Sequence, residues 1–529
     1  MRRLLTVLTA TVARLMNKGE LTPLESRLVE CAAAGDELDC APTGATTADF
    51  DQIDDWEERK IRAEVLVALC TREVSDWSVH PRRGLRLRGA YVAGQVDLSR
   101  AELSQCPLVF HTCCFEKDVV LKQAITNDLS FTSCALSSLY GDWIDSSASL
   151  NLRETHLREM SLAGASFRGD VLLSKVRLIN PEGPALNADA MSASDVSLED
   201  AHIEGEVRLL GADLRGQLGC SEGTKLINPE DRALNADAMS ASGVFLEDTH
   251  IEGEVRLLGA DLSGPLSCSQ CTKLINPSGY ALNAETCQVG GTFFFRLGEA
   301  AIGAVNLAYA QVGTLADDLA SWPDNYNYNL VGFSYHFLGS DEDLKRRLSW
   351  ISKSEPFSPH VYTQLAEVYR RSGHEGYARQ VAIKREKKRG RQPDLSWGSR
   401  AWNRFLDLTV AYGYQPWRAL VPLMVLFLLG WFLFTRPPAQ EVMVHPSTKK
   451  EPPISAAACH EPYPCFSPSV YVLDTLLPIV DLHQERNWVP ARPRPWGVWY
   501  EVLTWVFIAS GWILTTAVVA GIGSLWRRE

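Results

Sequence analysis

The chain has 529 residues, enough for two or three domains with a sizeable core, and its ordinary apolar content excludes both wholesale disorder and a polytopic transporter. Acidic residues outnumber basic ones 64 to 52, a formal charge of −12. The imbalance is local: residues 85–323 hold 31 Asp/Glu against 17 Lys/Arg, whereas residues 379–404 hold nine basic and two acidic groups. An acidic body with a basic collar behind it is not one uniform surface.

The N-terminus, Met1-Arg2-Arg3 followed by Leu4–Ala13, has a superficial likeness to a signal peptide. Its apolar stretch is short, interrupted by Arg14 and followed by no cleavage site, so it reads as a short amphipathic helix. Thr22-Pro23-Leu24-Glu25 then offers an N-cap, a proline at the first helical position and a capping-box glutamate, with Gly35 as the stop. A second helix is expected over about Trp56 to Thr71, with Ile61, Val65, Ala68 and Leu69 on one face. Residues 1–80 are thus expected to form a helical cap over the open end of the repetitive region that begins near Leu85.

From Leu85 the period fits neither a helix nor a flat strand. Leu150–Gly169 reads LNLRE, THLRE, MSLAG, ASFRG, with a large apolar residue at every fifth position: Leu152, Leu157, Leu162 and Phe167. The residue two before it is usually small. The unit returns around Ile203, Leu214, Ile251 and Leu262. A five-residue period fits a square coil whose four sides each supply one inward residue, so about twenty residues close one turn. A longer repeat lies on top. Leu-Ile-Asn-Pro begins at 178, 226 and 274, and Ala-Leu-Asn-Ala at 185, 233 and 281, a constant step of 48 residues. That step is two coils plus about eight residues, expected to project as a loop around Asn180, Asn228 and Asn276.

The unit resembles the pentapeptide-repeat consensus Ala-(Asp/Asn)-Leu-X-Gly, clearest in ADLRG at 212–216 and ADLSG at 260–264. The resemblance implies a mainly β chain built on a right-handed quadrilateral β-helix over residues 81–335. The whole chain is similar to a group of bacterial membrane-associated pentapeptide-repeat proteins, often labelled membrane-associated oxidoreductases.

After Asp341 the helical period returns. A hairpin runs from Ser358-Pro359 through Tyr362, Leu365, Val368 and Tyr369 to Gly373, then from about His374 to Lys388. It resembles a single tetratricopeptide unit; one copy makes no solenoid, so it reads as a packing or docking element. Residues 336–400 end in the basic segment Lys384, Arg385, Lys387, Lys388, Arg389 and Arg391, whose charges suit anionic lipid headgroups. A first transmembrane region is expected within 401–436, around the uncharged run Ala419–Thr435. A second lies within 499–529, around Val502–Trp526. The placement of basic residues puts both termini in the cytoplasm of a two-pass protein in the bacterial cytoplasmic membrane. Residues 437–498 then face outward, where Cys459 and Cys465 are expected to bridge. The apolar stretch Val470–Val480 in that loop reads as an amphipathic surface helix; it lacks the glycine-rich carbonyl filter of a potassium pore.

No GxGxxG, Walker A or HExxH motif occurs, and no cofactor is expected. Cys268-Ser-Gln-Cys271 is a CxxC, but the 48-residue step aligns Cys268 with Cys220 and Cys271 with Gly223, so one of the two cysteines falls outside the ladder. His202 and His250, beside Glu204 and Glu252, read as a solvated ladder and not a metal site. The favoured function is a membrane-anchored scaffold that displays the β-helix to a protein partner, with membrane lipids as its other contact. Tethering weighs against nucleic-acid mimicry, and assembly into an oligomer is compatible with all of this. The competing readings are a membrane effector or channel-like protein gated by its cytoplasmic part, and an oxidoreductase resting on the family label.

Overall fold

The computed structural model describes residues 21–40, 57–72, 77–323, 328–339, 342–392, 396–445, 456, 465–477 and 479–526. The expected helix over the first residues lies outside them. The chain divides into two compact units, residues 1–364 and 365–529.

The first unit is a four-sided parallel β-solenoid of about 11 turns. One turn shows the construction. Leu150–Asn151, His156–Leu157, Glu159–Ser161 and Ser166–Phe167 are its four short sides. Each side pairs in parallel with the same side of the next turn: Leu150 with Val171, His156 with Arg177, Met160 with Leu186, Ser166 with Ser192. Such stacking pairs the backbone of every internal turn with its neighbours, which an isolated five-residue unit cannot do. Leu152, Leu157, Leu162, Phe167, Ile203, Leu214, Ile251 and Leu262 are all buried. The residue two positions earlier is buried as well, as at Leu150, Thr155, Met160 and Ala165. Each side therefore supplies two inward residues, not one, because a short extended segment returns to the same face every second residue. Alternate corners turn through the left-handed region, for example Glu154 (φ 58°) and Gly164 (φ 65°).

The N-terminal cap joins the sheet. Helix α1, Pro23–Ala34, begins with the Thr22–Glu25 capping box and stops at left-handed Gly35. The expected second helix is shorter than the sequence suggests: only Ala63–Thr71 (α2) is α-helical. Lys60–Arg62 is instead a strand, paired with Tyr91–Ala93, and Glu37–Asp39 pairs with Leu85–Arg88. The first coil has an exposed edge, and its unpaired backbone groups recruit these residues as strand. Glu25, fully buried, receives the Arg62 guanidinium at 2.8 and 2.7 Å and the Thr22 amide at 2.9 Å.

At the other end, helix α3, Leu344–Lys353, lies in the segment where the helical period returns, ahead of the expected hairpin, and carries Arg347 against the last coils. Both charges of the Arg347–Asp317 pair are buried, with two hydrogen bonds of 2.7 and 2.9 Å. The Trp322 indole donates to the same carboxylate at 2.9 Å, and the guanidinium lies 4.8 Å from the Trp350 ring centroid. Helix α4, Pro359–Arg371, then crosses the boundary between the two units.

The second unit continues with α5, Glu375–Arg389, and α6, Trp397–Val410. Next come α7, Leu420–Phe434; α8, Pro437–Val442; α9, Pro468–Leu476; α10, Gln484–Asn487; and α11, Gly497–Trp526. Trp417–Phe434 and Gly497–Val519 are long and apolar enough to cross a membrane.

The buried end-cap charges give two expected outcomes. Arg347→Ala removes the counter-charge of the buried Asp317, an expected loss of about 3–5 kcal/mol, whereas Arg347→Met with Asp317→Leu recovers most of it. Denaturant unfolding of the full chain in detergent checks this; equal losses in both would remove the pair from the account. For Glu25, burial pushes the carboxyl up, but the Arg62 guanidinium and the amides of Thr22 and Arg62 outweigh it and hold it below its usual range. Its contribution is complete above the unfolded value of about 4.3 and fades as pH falls through the lower folded value. Protection of the α1 amides against exchange, taken relative to the intrinsic rate at each pH, should fall on acidification through that window, and Glu25→Gln should remove that fall.

Candidate functional site

The 48-residue step creates a surface feature that recurs along the solenoid. On one face Val196 pairs with Leu218, Leu218 with Val244 and Val244 with Leu266, steps of 22, 26 and 22 residues. The longer coil carries four additional residues. Three of them enter where the register jumps from Ile179–Glu204 to Pro184–Glu206 and the fourth before Leu186–Val207, so the insertion is a bulge over 180–185 within one 11-residue strand. The same jump occurs at Ile227–Arg232 and Ile275–Tyr280. The expected eight-residue projecting loop is thus corrected to a four-residue bump.

Asn180, Asn228 and Asn276 are braces and not ligands. Their Nδ2 atoms donate to the carbonyls of Pro184, Arg232 and Tyr280 at 3.1, 2.7 and 2.8 Å, closing each bulge. The next coil makes room with a glycine. A Cβ on Gly205, Gly253 or Gly303 would meet the Asn180, Asn228 or Asn276 carbonyl oxygen at 2.3, 2.4 or 2.3 Å. What faces solvent is Pro181-Glu182, Pro229-Glu230-Asp231 and Pro277-Ser278-Gly279-Tyr280. Two coils separate successive bulges, about 10 Å at the usual strand spacing.

Beside this row the charges are largely satisfied within the protein. Arg256 bonds Asp237 at 2.7 Å, and Arg208 holds Asp189 at the equivalent place one unit earlier. Asn235 and Asn283 donate to Glu206 and Glu254 at 3.2 and 2.9 Å. His202 and His250 pair with Glu204 and Glu252 at 3.0 and 2.8 Å. Among the described residues no group of three or more His, Cys, Asp and Glu could hold a metal ion. The CxxC does not present a dithiol: Cys268 is in the core, where burial pushes its thiol up to about 12, while Cys271 is exposed.

The second candidate is the helical cluster of the second unit. Phe434 of α7, Tyr471, Val472 and Leu476 of α9, and Tyr500 and Phe507 of α11 form one buried core with Trp488 and Met443. α9 is therefore not an amphipathic surface helix. It packs against both apolar helices, and each has a glycine where it does so. A Cβ on Gly430 would meet Val472 Cγ1 at 2.6 Å, and one on Gly511 the Leu476 carbonyl oxygen at 2.3 Å. Gly511 lies 14 residues beyond Gly497, about 21 Å along α11. The buried Asp474 carboxylate turns the chain back, accepting the amides of Leu482, Gln484 and Glu485 at 2.7, 2.8 and 2.8 Å. The two glycines were the signal in the sequence; periodicity within residues 470–480 could not reveal them. Cys465 is disulfide-bonded, and Cys459, its expected partner, lies outside the described residues.

Of the six basic residues expected at a lipid surface, the structure brings Lys387 and Arg391 together with Arg400 and Arg404. They line a cavity of about 860 Å³. Arg385 bonds Glu386 and lines a neighbouring cavity; Lys384, Lys388 and Arg389 line neither. No family model, no curated protein and no solved structure matches this chain.

Substituting Gly511→Leu should expel α9, lower the unfolding midpoint of the full chain and speed tryptic cleavage at the exposed Arg486. Gly398→Leu, with nothing within 4 Å of its Cβ position, is the control. Equal behaviour of the two variants would contradict the packing described.

Proposed function

We propose that the chain is a membrane-anchored scaffold whose solenoid offers repeated docking points to a protein partner. The observation that carries this is the row of braced bulges, one every two coils. Each presents a proline and polar or acidic residues from a rigid support. Three weak contacts at a fixed spacing of about 10 Å gain strength from one another without any one being tight. The resemblance to pentapeptide-repeat proteins supports a binding role, and the charge-paired flank supports a protein partner over nucleic-acid mimicry. The apolar helices supply the anchor. The basic residues before α7 favour an orientation with both termini in the bacterial cytoplasm.

The test is photocrosslinking from positions 182, 230 and 278 in the full chain. One protein captured from all three positions is the expected result; unrelated proteins at each, or none, would contradict it.

A second reading, a membrane effector, draws on α9. A helix that enters between two apolar helices and turns back on a buried carboxylate places polar backbone at membrane depth, where it must line protein or water. Membrane potential in cells producing the full chain separates the readings: the scaffold leaves it unchanged, an effector collapses it. The oxidoreductase label finds no support in the CxxC, whose cysteines lie on opposite sides of the coil wall.

A further inference from the structure

The basic cavity does not stand alone. Lys387, Arg391, Arg400, Arg404, Trp397 and Tyr412 are among the residues that line it. A second cavity of about 770 Å³ is walled by apolar residues of α6, α7 and α11, including Leu408, Val421, Val425 and Ile513. Phe405 and Leu408 belong to both, so the two share a wall. One compartment is cationic and the other apolar.

We propose that this pair of cavities binds a single anionic glycerophospholipid, with its phosphate among Lys387, Arg391, Arg400 and Arg404 and its acyl chains along Leu408, Val421, Val425 and Ile513. Among the described residues that line the headgroup compartment there are four cations and one carboxylate, Asp407, which sits 3.1 Å from Lys387. The surplus of positive charge selects an anion over a zwitterion. Three of the four cations are arginines, whose planar guanidinium offers phosphate two parallel N–H donors. Trp397 (85 % exposed) flanks the basic compartment and Trp417 (63 % exposed) the apolar one, indoles of the kind that settle at the headgroup level of a bilayer. A free phosphate would use only the first compartment and an acyl chain only the second; an anionic lipid uses both. The inference rests on reading α7 and α11 as membrane spans.

The experiment is native mass spectrometry of the delipidated full chain in detergent, titrated with phosphatidylglycerol or phosphatidylcholine of the same chain length. One phosphatidylglycerol per chain is expected, retained about tenfold more tightly than phosphatidylcholine, and Arg400→Gln with Arg404→Gln should erase that preference. Val425→Trp, which fills the apolar compartment, should weaken retention of the long-chain lipid while leaving the headgroup preference in place. Equal retention of the two lipids, or an unchanged preference in the arginine variant, would overturn the proposal. So would displacement of the lipid by equimolar inorganic phosphate, which would make the site a simple anion pocket. Should the double variant aggregate, Arg404→Gln alone carries the same comparison. Carbonate washing of membranes, run in parallel on each variant, keeps the two readings apart: protein that washes off contradicts the spans, whereas protein that stays but shows no lipid preference contradicts the site.

Discussion

Every coil of a parallel solenoid satisfies its backbone through the coils on either side, so the two end coils are left with a row of unpaired donors and acceptors. The rest of the first unit depends on that constraint. At the N-terminal end, Glu37–Asp39 and Lys60–Arg62 serve as borrowed strands, and the helices α1 and α2 adjoin them. At the other end the buried Arg347–Asp317 pair sits among Trp322, Tyr328 and Trp350. A buried ion pair is weak as a source of stability when compared with apolar packing, yet strongly destabilising once one partner is lost. The N-terminal counterpart, Glu25–Arg62, buries its carboxylate and leaves its arginine partly exposed. Each pair lies at one end of the stack.

How much of this the sequence discloses depends on whether the cause is local. The five-residue period shows the coil because Leu152, Leu157, Leu162 and Phe167 each answer to their own side of one turn. The 48-residue repeat shows where the extra residues lie, but their size and shape depend on Gly205, Gly253 and Gly303 in the adjoining coil. The strand at Lys60–Arg62 is hidden because its neighbours in sequence favour helix and only the open coil edge makes it a strand. α9 is hidden for a related reason. Its apolar residues look like one face of a surface helix until Gly430 and Gly511 are seen to open space for it on two other helices. The basic cavity joins Lys387 and Arg391 to Arg400 and Arg404, and the charge count located the collar without its shape.

The two units divide the physical work. The first is rigid, since its bulges are closed by asparagine side chains and its flanking carboxylates are occupied by arginine and asparagine from adjacent coils. The second carries the apolar helices, the inserted α9 and the cationic cavity, and its chemistry suits lipid. The scaffold we propose draws on both: a stiff array for a partner, and an anchor in the apolar helices.

Trypsin treatment of membranes from cells producing the full chain bears most directly on this account. Cleavage in the basic segment 384–391 should release the solenoid into the soluble fraction as a protease-resistant β-rich fragment, while residues beyond it stay with the membrane. A solenoid fragment that remains in the pellet, or a C-terminal fragment that comes away with it, would contradict the division into an array and an anchor.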